Sequence, residues 1–490
     1  MKYSNTIIVG SGSAAMGAIL GLKKIKPLIL DVGFEYNIKN SFSNKSLQIN
    51  KNFKINSQQN KFVTDHNKNL IKLKKSNFKG VVSYAFGGLA NLWGGGVYRF
   101  DDNDLKEFPI NYSDLKKYYN FLSTKIFKIQ GKSDCLKKFL KEENMFDNLK
   151  LQGLANKIIE NYNQNKQEIN NLNFFLGKSR IALNKKKPKK LKKFSVFEDQ
   201  SLVNEIFNPK EIIKKLIKKK KIFYKKNILV KSFKQINDHI IITTKNIKHN
   251  KIEEYKCKKL ILGSGTINTT KIVLSSEKAY EKKLNFFDNV TINLPFISKS
   301  ISDTADSYKN NLCLINLVNS KNNTSVNYFG SFFGTPDISL FNRLLNIRKN
   351  LKFKNSFINK IKKNIGLLVV FFPSKKNSIC IDKNGEIKIN MISENKYLNE
   401  ISRILNLFKF LNLKSYGFFT KINNSGNAIH YAGTIPMKSK PKKFQCNKWG
   451  KLIGYKNVYI VDASNFTKLP AKNLTYTIMA NAMRIASKIK

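Results

Sequence analysis

The chain opens on short apolar runs separated by glycine. Thr6-Ile7-Ile8-Val9 has strand length, residues 14–22 are small and apolar as in a buried helix, and residues 27–30 form a second apolar run. Strand, glycine turn, helix, strand is a βαβ unit. A polar stretch rich in Lys, Asn and Gln covers about 36–79, and a glycine cluster follows at 87–96. Residues 109–140 read as largely helical, with Ser113 as N-cap. Residues 163–193 are polar and basic and read as a surface excursion. At 209–220, Ile212, Ile213, Leu216 and Ile217 share one side and lysines the other. That predicts a core-packed helix with a solvated lysine face, against the alternative of a helix lying on a membrane. Strands follow at 222–224, 228–233 and 240–244. The apolar run 260–262 ends in a second glycine turn, Gly263-Ser264-Gly265.

From about 290 to 420 the texture changes. Extended runs occur at 312–318, 367–372, 379–381 and 387–389, with 382–386 as a hairpin connection, and a helix is predicted over 397–411. This predicts an antiparallel sheet with helices. Strand–turn–helix returns at the end: 458–461, then Asp462-Ala463-Ser464, then a helix from about 475 to 489. There is no internal repeat. At 490 residues, with 41% hydrophobic and 12% aromatic side chains, the chain is long enough for two domains and apolar enough to exclude wholesale disorder.

Charge changes this picture less than its size suggests. Lys+Arg total 89 against 32 Asp+Glu, a net +57. Such an excess raises nucleic acid or an anionic membrane surface as partners. Yet only Arg99, Arg180, Arg343, Arg348, Arg403 and Arg484 are arginines, and bidentate readers of bases and phosphates lean on Arg. The Lys, Asn and Ile excess runs the whole length, as a compositional drift would. No nucleic-acid partner is expected; peripheral membrane contact stays open. Cys135, Cys257, Cys313, Cys380 and Cys446 are scattered and odd in number, which disfavours a disulfide framework or a zinc ribbon and fits a reducing, cytoplasmic setting. No metal site is expected. Residues 6–22 mimic a signal peptide, but their glycines and the following acidic strand end fit a nucleotide-binding start better. No other run is long and apolar enough to span a bilayer.

Four motifs carry chemistry. Gly10-Ser11-Gly12-Ser13-Ala14-Ala15 is a G-x-G-x-x-A turn, where glycine admits a pyrophosphate and the helix N-terminus stabilises its charge. Asp31, about 20 residues on, ends the second strand and suits ribose hydroxyls. Alone, this leaves NAD and FAD open. Phe86-Gly87-Gly88-Leu89-Ala90-Asn91-Leu92-Trp93-Gly94-Gly95-Gly96 places backbone close to something flat. His430-Tyr431-Ala432-Gly433-Thr434-Ile435-Pro436-Met437 sets one histidine apart from His66, His239 and His249, which read as structural or exposed. Asp462-Ala463-Ser464, followed by Asn473-Leu474-Thr475-Tyr476-Thr477-Ile478-Met479-Ala480, again puts backbone N–H groups at a helix start. There Asn473 is either an N-cap or something more.

In this order the motifs resemble those of the glucose–methanol–choline (GMC) oxidoreductases: G-x-G-x-x-A, G-G-x-x-N-x-W-G-G, H-x-x-G-T-x-x-M, D-A-S and N-x-T-x-T-I-M-A. Phe108-Pro109-Ile110-Asn111-Tyr112-Ser113-Asp114-Leu115 and Leu260-Ile261-Leu262-Gly263-Ser264-Gly265-Thr266 extend the resemblance over nearly the whole chain. It implies an α/β fold, with a discontinuous Rossmann-like FAD-binding domain (1–100, 195–289, 425–490) and an α+β antiparallel-sheet substrate domain (101–194, 290–424). It also implies that Gly10, Gly12, Ser13, Ala14, Ala15 and Asp31 hold the ADP part of FAD. Asn91, Leu92, Gly94 and Gly95 would line the flavin, and the Val230 backbone would meet adenine. Asp462 and Ala463 would face the pyrophosphate and ribityl chain, and Asn473 and Thr475 the pyrimidine. His430 matches the catalytic base that takes a hydroxyl proton while hydride passes to the flavin; Asn473 matches the second active-site position.

There are departures. Ala15 stands for the usual third glycine and Asp31 for the usual Glu. Leu92 stands where some members carry an attaching His, so FAD is expected to be non-covalent. The expected substrate is a small alcohol, with a lean towards a sugar or polyol because the last motifs resemble bacterial dehydrogenase-type members; the electron acceptor is open. The competing readings are a basic anionic-surface-binding protein on a flavoprotein scaffold, and an NAD enzyme using the first turn alone.

Overall fold

A computed structural model describes residues 2–35, 61–64, 70–74, 78–147, 151, 153–184, 206–299, 313, 315–334, 364–374, 377–392, 397–423 and 426–489. His66 and most of the polar stretch 36–79 lie outside them.

The first apolar run becomes the strand Lys2–Val9. It pairs in parallel with Leu28–Leu30 on one side and Lys251–Leu262 on the other. Phe223–Lys225 extends the sheet beyond Leu28–Leu30, and Val458–Ile460 pairs with Leu260, Ile261 and Leu262. Alternate residues serve opposite faces. Ile8, Ile29 and Ile261 face one apolar cluster, while Ile7, Val9, Leu30, Leu260 and Leu262 face another. Burial on both sides is why these strands read as unbroken apolar runs. The strand Lys251–Leu262 changes partners along its length. Its first half pairs antiparallel with His239–Asn246, which pairs with Ile228–Ile236 across a register shift at Val230/Ser232.

The helix Ser13–Gly21 packs on the C-terminal helix Thr475–Ala486. A Cβ at Gly17 or Gly21 would run into the carbonyl oxygens of Met479 and Met483, so the two backbones meet where side chains would hold them apart. The helix Pro209–Lys218 starts at Asn208, whose side chain accepts from Lys210 N. Ile213 is fully buried and Ile212, Leu216 and Ile217 pack on the core. The apolar face of this helix is already used.

The second large sheet runs Leu413–Lys414, Val290–Ser298, Ile365–Phe372, Tyr328–Gly334, Ile315–Asn319, Phe174–Lys178, antiparallel throughout. Side chains of the helices Gly153–Gln164 and Leu398–Phe410 share an apolar cluster with it. The texture change near 290 was therefore real. The surface excursion read over 163–193 was not, as far as it is described: Phe174, Phe175 and Leu176 are buried in an edge strand of this sheet. A smaller sheet, Ile387–Asn390, Asn377–Ile381, Leu284–Asp288, Tyr431–Ala432, packs Phe286, Ile379, Ile381 and Ile387 onto one face of the parallel sheet. The 382–386 connection is a hairpin turn, with Gly385 at φ +72°.

Two helix details differ from expectation. The helix Tyr112–Phe121 begins at Asn111, not Ser113. The Asn111 side chain accepts from Asp114 N and the Asp114 carboxylate accepts from Asn111 N, a reciprocal capping box. The helical run also stops early: after a π-turn at Leu122–Ile126 the chain enters the strand Phe127–Gln130, which pairs with Ile181–Asn184. No helix among the described residues is long and apolar enough to cross a membrane.

Candidate active site

A cavity of about 690 Å³ opens at the C-terminal ends of the parallel strands, where ligand sites of such sheets form. Its wall includes Gly10, Gly12, Ser13, Ala14, Asp31, Leu92, Gly94, Val230, His430, Asp462, Ala463, Asn473 and Thr475. Residues from seven separate stretches of sequence thus meet at one site. Ala15, Asn91 and Gly95 were expected there and do not line it. Ala15 is fully buried in the first helix. Gly95, at φ +79°, backs onto Ile206 and Ile181. Asn91 acts from behind: its amide donates to the carbonyls of Phe86 and Gly88 (3.0 and 2.8 Å) and its oxygen accepts from Lys210 Nζ at 2.8 Å. It holds the glycine cluster in shape.

The nucleotide-like end is built from two nested glycine turns. Gly10 has φ +97°, and a Cβ there would lie 2.7 Å from Gly263 O. The first helix then starts at Gly12 with no side-chain cap and no acidic residue in its first turn. Its free N–H groups and helix dipole make an anion site. Ser11 Oγ donates to Asp31 Oδ2 and accepts from Gly87 N at 2.9 Å, which ties the glycine cluster to the second strand. Tyr224 donates to the same Asp31 oxygen at 3.1 Å. Burial outweighs these donors and lifts the Asp31 carboxyl to about 7. Lys231, Lys271 and Lys383 also line this cavity; burial, with Lys231 beside it, brings Lys271 down to about 8.

Asp462 was expected to face a pyrophosphate, and its side chain is otherwise engaged. Oδ2 accepts from Gly265 N (2.9 Å) and Thr269 Oγ1 (2.5 Å), and Oδ1 accepts from Ser464 N (3.0 Å) and Ser464 Oγ. The carboxylate fastens the second glycine turn to the Ala463–Asn465 turn.

At the other end, the His430 ring stacks on Phe371, with centroids 5.3 Å apart. Its Nδ1 lies 3.0 Å from Asn289 Oδ1. The Asn289 amide donates to Phe372 O (2.8 Å) and Pro470 O (3.0 Å). Burial lowers His430 to about 4, so the imidazole is neutral near pH 7. Asp288, which precedes Asn289, accepts from Gly426 N through Oδ2, its Oδ1 has no hydrogen-bond partner among the described residues, and burial holds its carboxyl up at about 7. Asn473 is not a side-chain cap: the last helix is capped at Leu474, and Asn473 Oδ1 is buried with no hydrogen-bond partner among the described residues. Among the described residues no cluster of His, Cys, Asp or Glu is arranged to hold a metal, and all five cysteines are free.

Sequence reasoning missed Asn289, Ser11, Tyr224, Lys210 and Phe371. Ser11 sat inside a quoted motif as an unassigned position. The others carried no local signal, because their importance is a contact across long sequence separations.

Comparison with known proteins shows what the chain is similar to. Residues 415–482, which hold both His430 and Asn473, match the family model described as GMC oxidoreductase. The resemblance read from the motifs is borne out, in that this segment is similar to the C-terminal part of the GMC oxidoreductases. Among solved structures, pyridoxine 4-oxidase from Mesorbium loti superposes with a TM-score of 0.65 at 10% identity, over 99% of each chain. A formate oxidase from Aspergillus oryzae RIB40, whose structure concerns FAD modification, gives 0.65 at 11% identity, over 99% of this chain and 97% of that one. At such identities these two show a shared mixed α/β fold over the full length. No curated protein matches the chain in sequence.

Proposed function

We propose that this protein is an FAD-dependent oxidoreductase that oxidises a CH–OH group, with His430 as base. The observation that carries the reading is His430 itself, a neutral imidazole in the wall of the same cavity as the uncapped glycine turn. The residues present fit FAD. The free N–H groups at Ser13 and Ala14 would receive the pyrophosphate, Asp31 the ribose, and the Val230 backbone the adenine. The buried Asn473 oxygen, without a partner among the described residues, would accept a hydrogen bond from the flavin or substrate. Leu92 lines the cavity where some family members carry an attaching His, and among the described residues His430 is the one histidine in its wall. We therefore read FAD as non-covalent. This division of labour assigns 1–100, 195–289 and 425–490 to FAD and 101–194 with 290–424 to substrate.

When bound, FAD supplies an acceptor for a hydride. The protein supplies the rest. His430 takes the hydroxyl proton as the C–H bond gives up its hydride, so a carbonyl forms and charge is balanced. Asn473 orients the oxygen but has no basic lone pair to act as base. Phe371, stacked on the imidazole, limits how the ring can turn. The substrate class we propose is a small alcohol, with sugars and polyols first to be tried.

The test is the visible spectrum of the purified protein and its H430A variant, followed anaerobically as alcohols are added. Both are expected to show oxidised-flavin bands. Bleaching in the variant is expected to be slower by about 10²- to 10⁴-fold, the usual share of a positioned base. Equal bleaching rates would remove His430 from the reaction, and a colourless protein after reconstitution with FAD would remove the proposal.

A further inference from the structure

Asn289 lies at the join between two strands, Leu284–Asp288 and Val290–Ser298, and is buried at 2% exposure. Its amide group meets three partners. Two are backbone carbonyl oxygens, of Phe372 and Pro470, which only accept hydrogen bonds. The NH₂ must therefore face them, and the opposite orientation would bring three oxygens together without a proton among them. The amide oxygen is thereby committed to His430 Nδ1 at 3.0 Å. An amide oxygen cannot donate, so the ring nitrogen must. The neutral imidazole then carries its proton on Nδ1 and its lone pair on Nε2.

We infer that Asn289 is a positioning residue that fixes His430 in the Nδ1–H tautomer and so makes Nε2 the proton acceptor. The inference rests on the reading of His430 as the base, and it adds which atom acts and what holds it so. Asn289 receives the ring, and the adjoining Asp288 lies beside the histidine's segment, accepting from Gly426 N. Strand pairing sets the geometry: Asp288 lies opposite Tyr431 and Phe287 opposite Ala432. Ser374 Oγ accepts from Asp288 N at 2.7 Å, and the same crossing brings Phe372 O to Asn289. Among the described residues the adjoining titratable groups are Asp288, whose Oδ2 accepts from Gly426 N, and Tyr431, whose hydroxyl donates to Gly426 O. An uncharged amide at Nδ1 fixes the proton without stabilising the imidazolium as a carboxylate would, which leaves the ring free of its proton near neutrality.

The test is long-range ¹H–¹⁵N correlation on histidine-labelled, FAD-loaded protein, with H430Q identifying the signal among the four histidines. We expect a pyrrole-type Nδ1 and a pyridine-type Nε2. A proton on Nε2 in the wild type overturns the inference. In N289L, which leaves Nδ1 unpaired, the tautomer is expected to redistribute. Flavin bleaching by an active alcohol should slow about 10²-fold or more at unchanged KM, since a positioned base contributes on that order. In N289D, which keeps an acceptor at Nδ1, the tautomer should persist while the imidazole titrates at a higher pH. Equal behaviour of N289L and N289D, in tautomer and pH profile, would reduce Asn289 to a structural residue. If N289L fails to fold, the wild-type spectrum and N289D still decide. Undiminished bleaching in H430A would remove His430 as the base while leaving the tautomer measurement standing, so the two failures are distinct.

Discussion

At the scale of single residues, burial decides the charge states that the chemistry needs. His430 is lowered to about 4, below an ordinary histidine near 6.5. Activity against pH should then keep its plateau down to about pH 5, and the acid limb of kcat/KM should fall near 4 to 5. A limb at 6.5 or above would show that the imidazolium is stabilised in the working enzyme. Asp288, lifted to about 7 by burial despite the backbone N–H of Gly426 that it accepts, bears on stability. Between about pH 4 and 7 the folded protein holds a proton on Asp288 that the unfolded chain has released, so this group's contribution falls as pH rises through that window. His430 acts in the opposite sense, since its contribution is present above 6.5 and is lost as pH falls towards 4. D288N should therefore make the stability profile less steeply falling between pH 4 and 7, as read by urea unfolding at a series of pH values. An unchanged profile would mean that Asp288 titrates normally. His430 and Asn473 were legible in the sequence because each sits in a motif of unusual composition. Asn289 was not, because Phe-Phe-Asp-Asn-Val looks like the end of any buried strand.

At the scale of elements, two contacts bring the termini of the site together. The first is the crossing of the Ser13–Gly21 and Thr475–Ala486 helices at Gly17 and Gly21. G17A forces a methyl into the Met479 carbonyl and should destabilise by about 1–3 kcal/mol, the usual cost of overpacking. Flavin affinity should fall with it, because both helices begin at the cavity; thermal unfolding and flavin fluorescence would read the two effects. The second is the fully buried Lys472, which bonds Asp101 Oδ2 at 2.9 Å and Asp104 Oδ2 at 2.6 Å. Lys472 immediately precedes Asn473, so this ionic trio fixes the approach to the site. K472M would leave two buried carboxyl groups facing each other and should cost about 3–5 kcal/mol. D104N, which retains a polar partner, should cost less. Equal losses in the two variants would contradict this account. The capping box at Asn111 and Asp114 shows how local rules can be misassigned by two residues. Ser113 is a good capping residue by type, but Asn111 is the one spaced correctly from Asp114.

At the scale of the molecule, the cavity draws its wall from the beginning, middle and end of the chain, so FAD should act as a staple. With free FAD at about a thousand times Kd, the folded state gains about 4 kcal/mol. Stripping the flavin should lower the unfolding temperature, and adding FAD should restore it. Denaturant should release free flavin, while flavin retained on the chain would refute non-covalent binding. The net charge of +57 looks different once the fold is known. The lysine-rich helix Pro209–Lys218 has its apolar face packed on the core, and its Lys210 is partly buried and bonded to Asn91. It is therefore not a free amphipathic anchor.

What the sequence determined by itself was local: a strand that must be buried on both faces, a glycine turn that admits an anion, an acidic strand end, and a histidine and an asparagine in unusual company. Those follow from periodicity and from the conformational freedom of glycine, which act over a few residues. The tertiary structure decided which of these groups meet, which carboxylates are already engaged, as Asp462 is, and which way the His430 imidazole holds its proton. Those outcomes depend on burial and on hydrogen bonds between groups more than a hundred residues apart, and such pairings leave no local pattern in the chain.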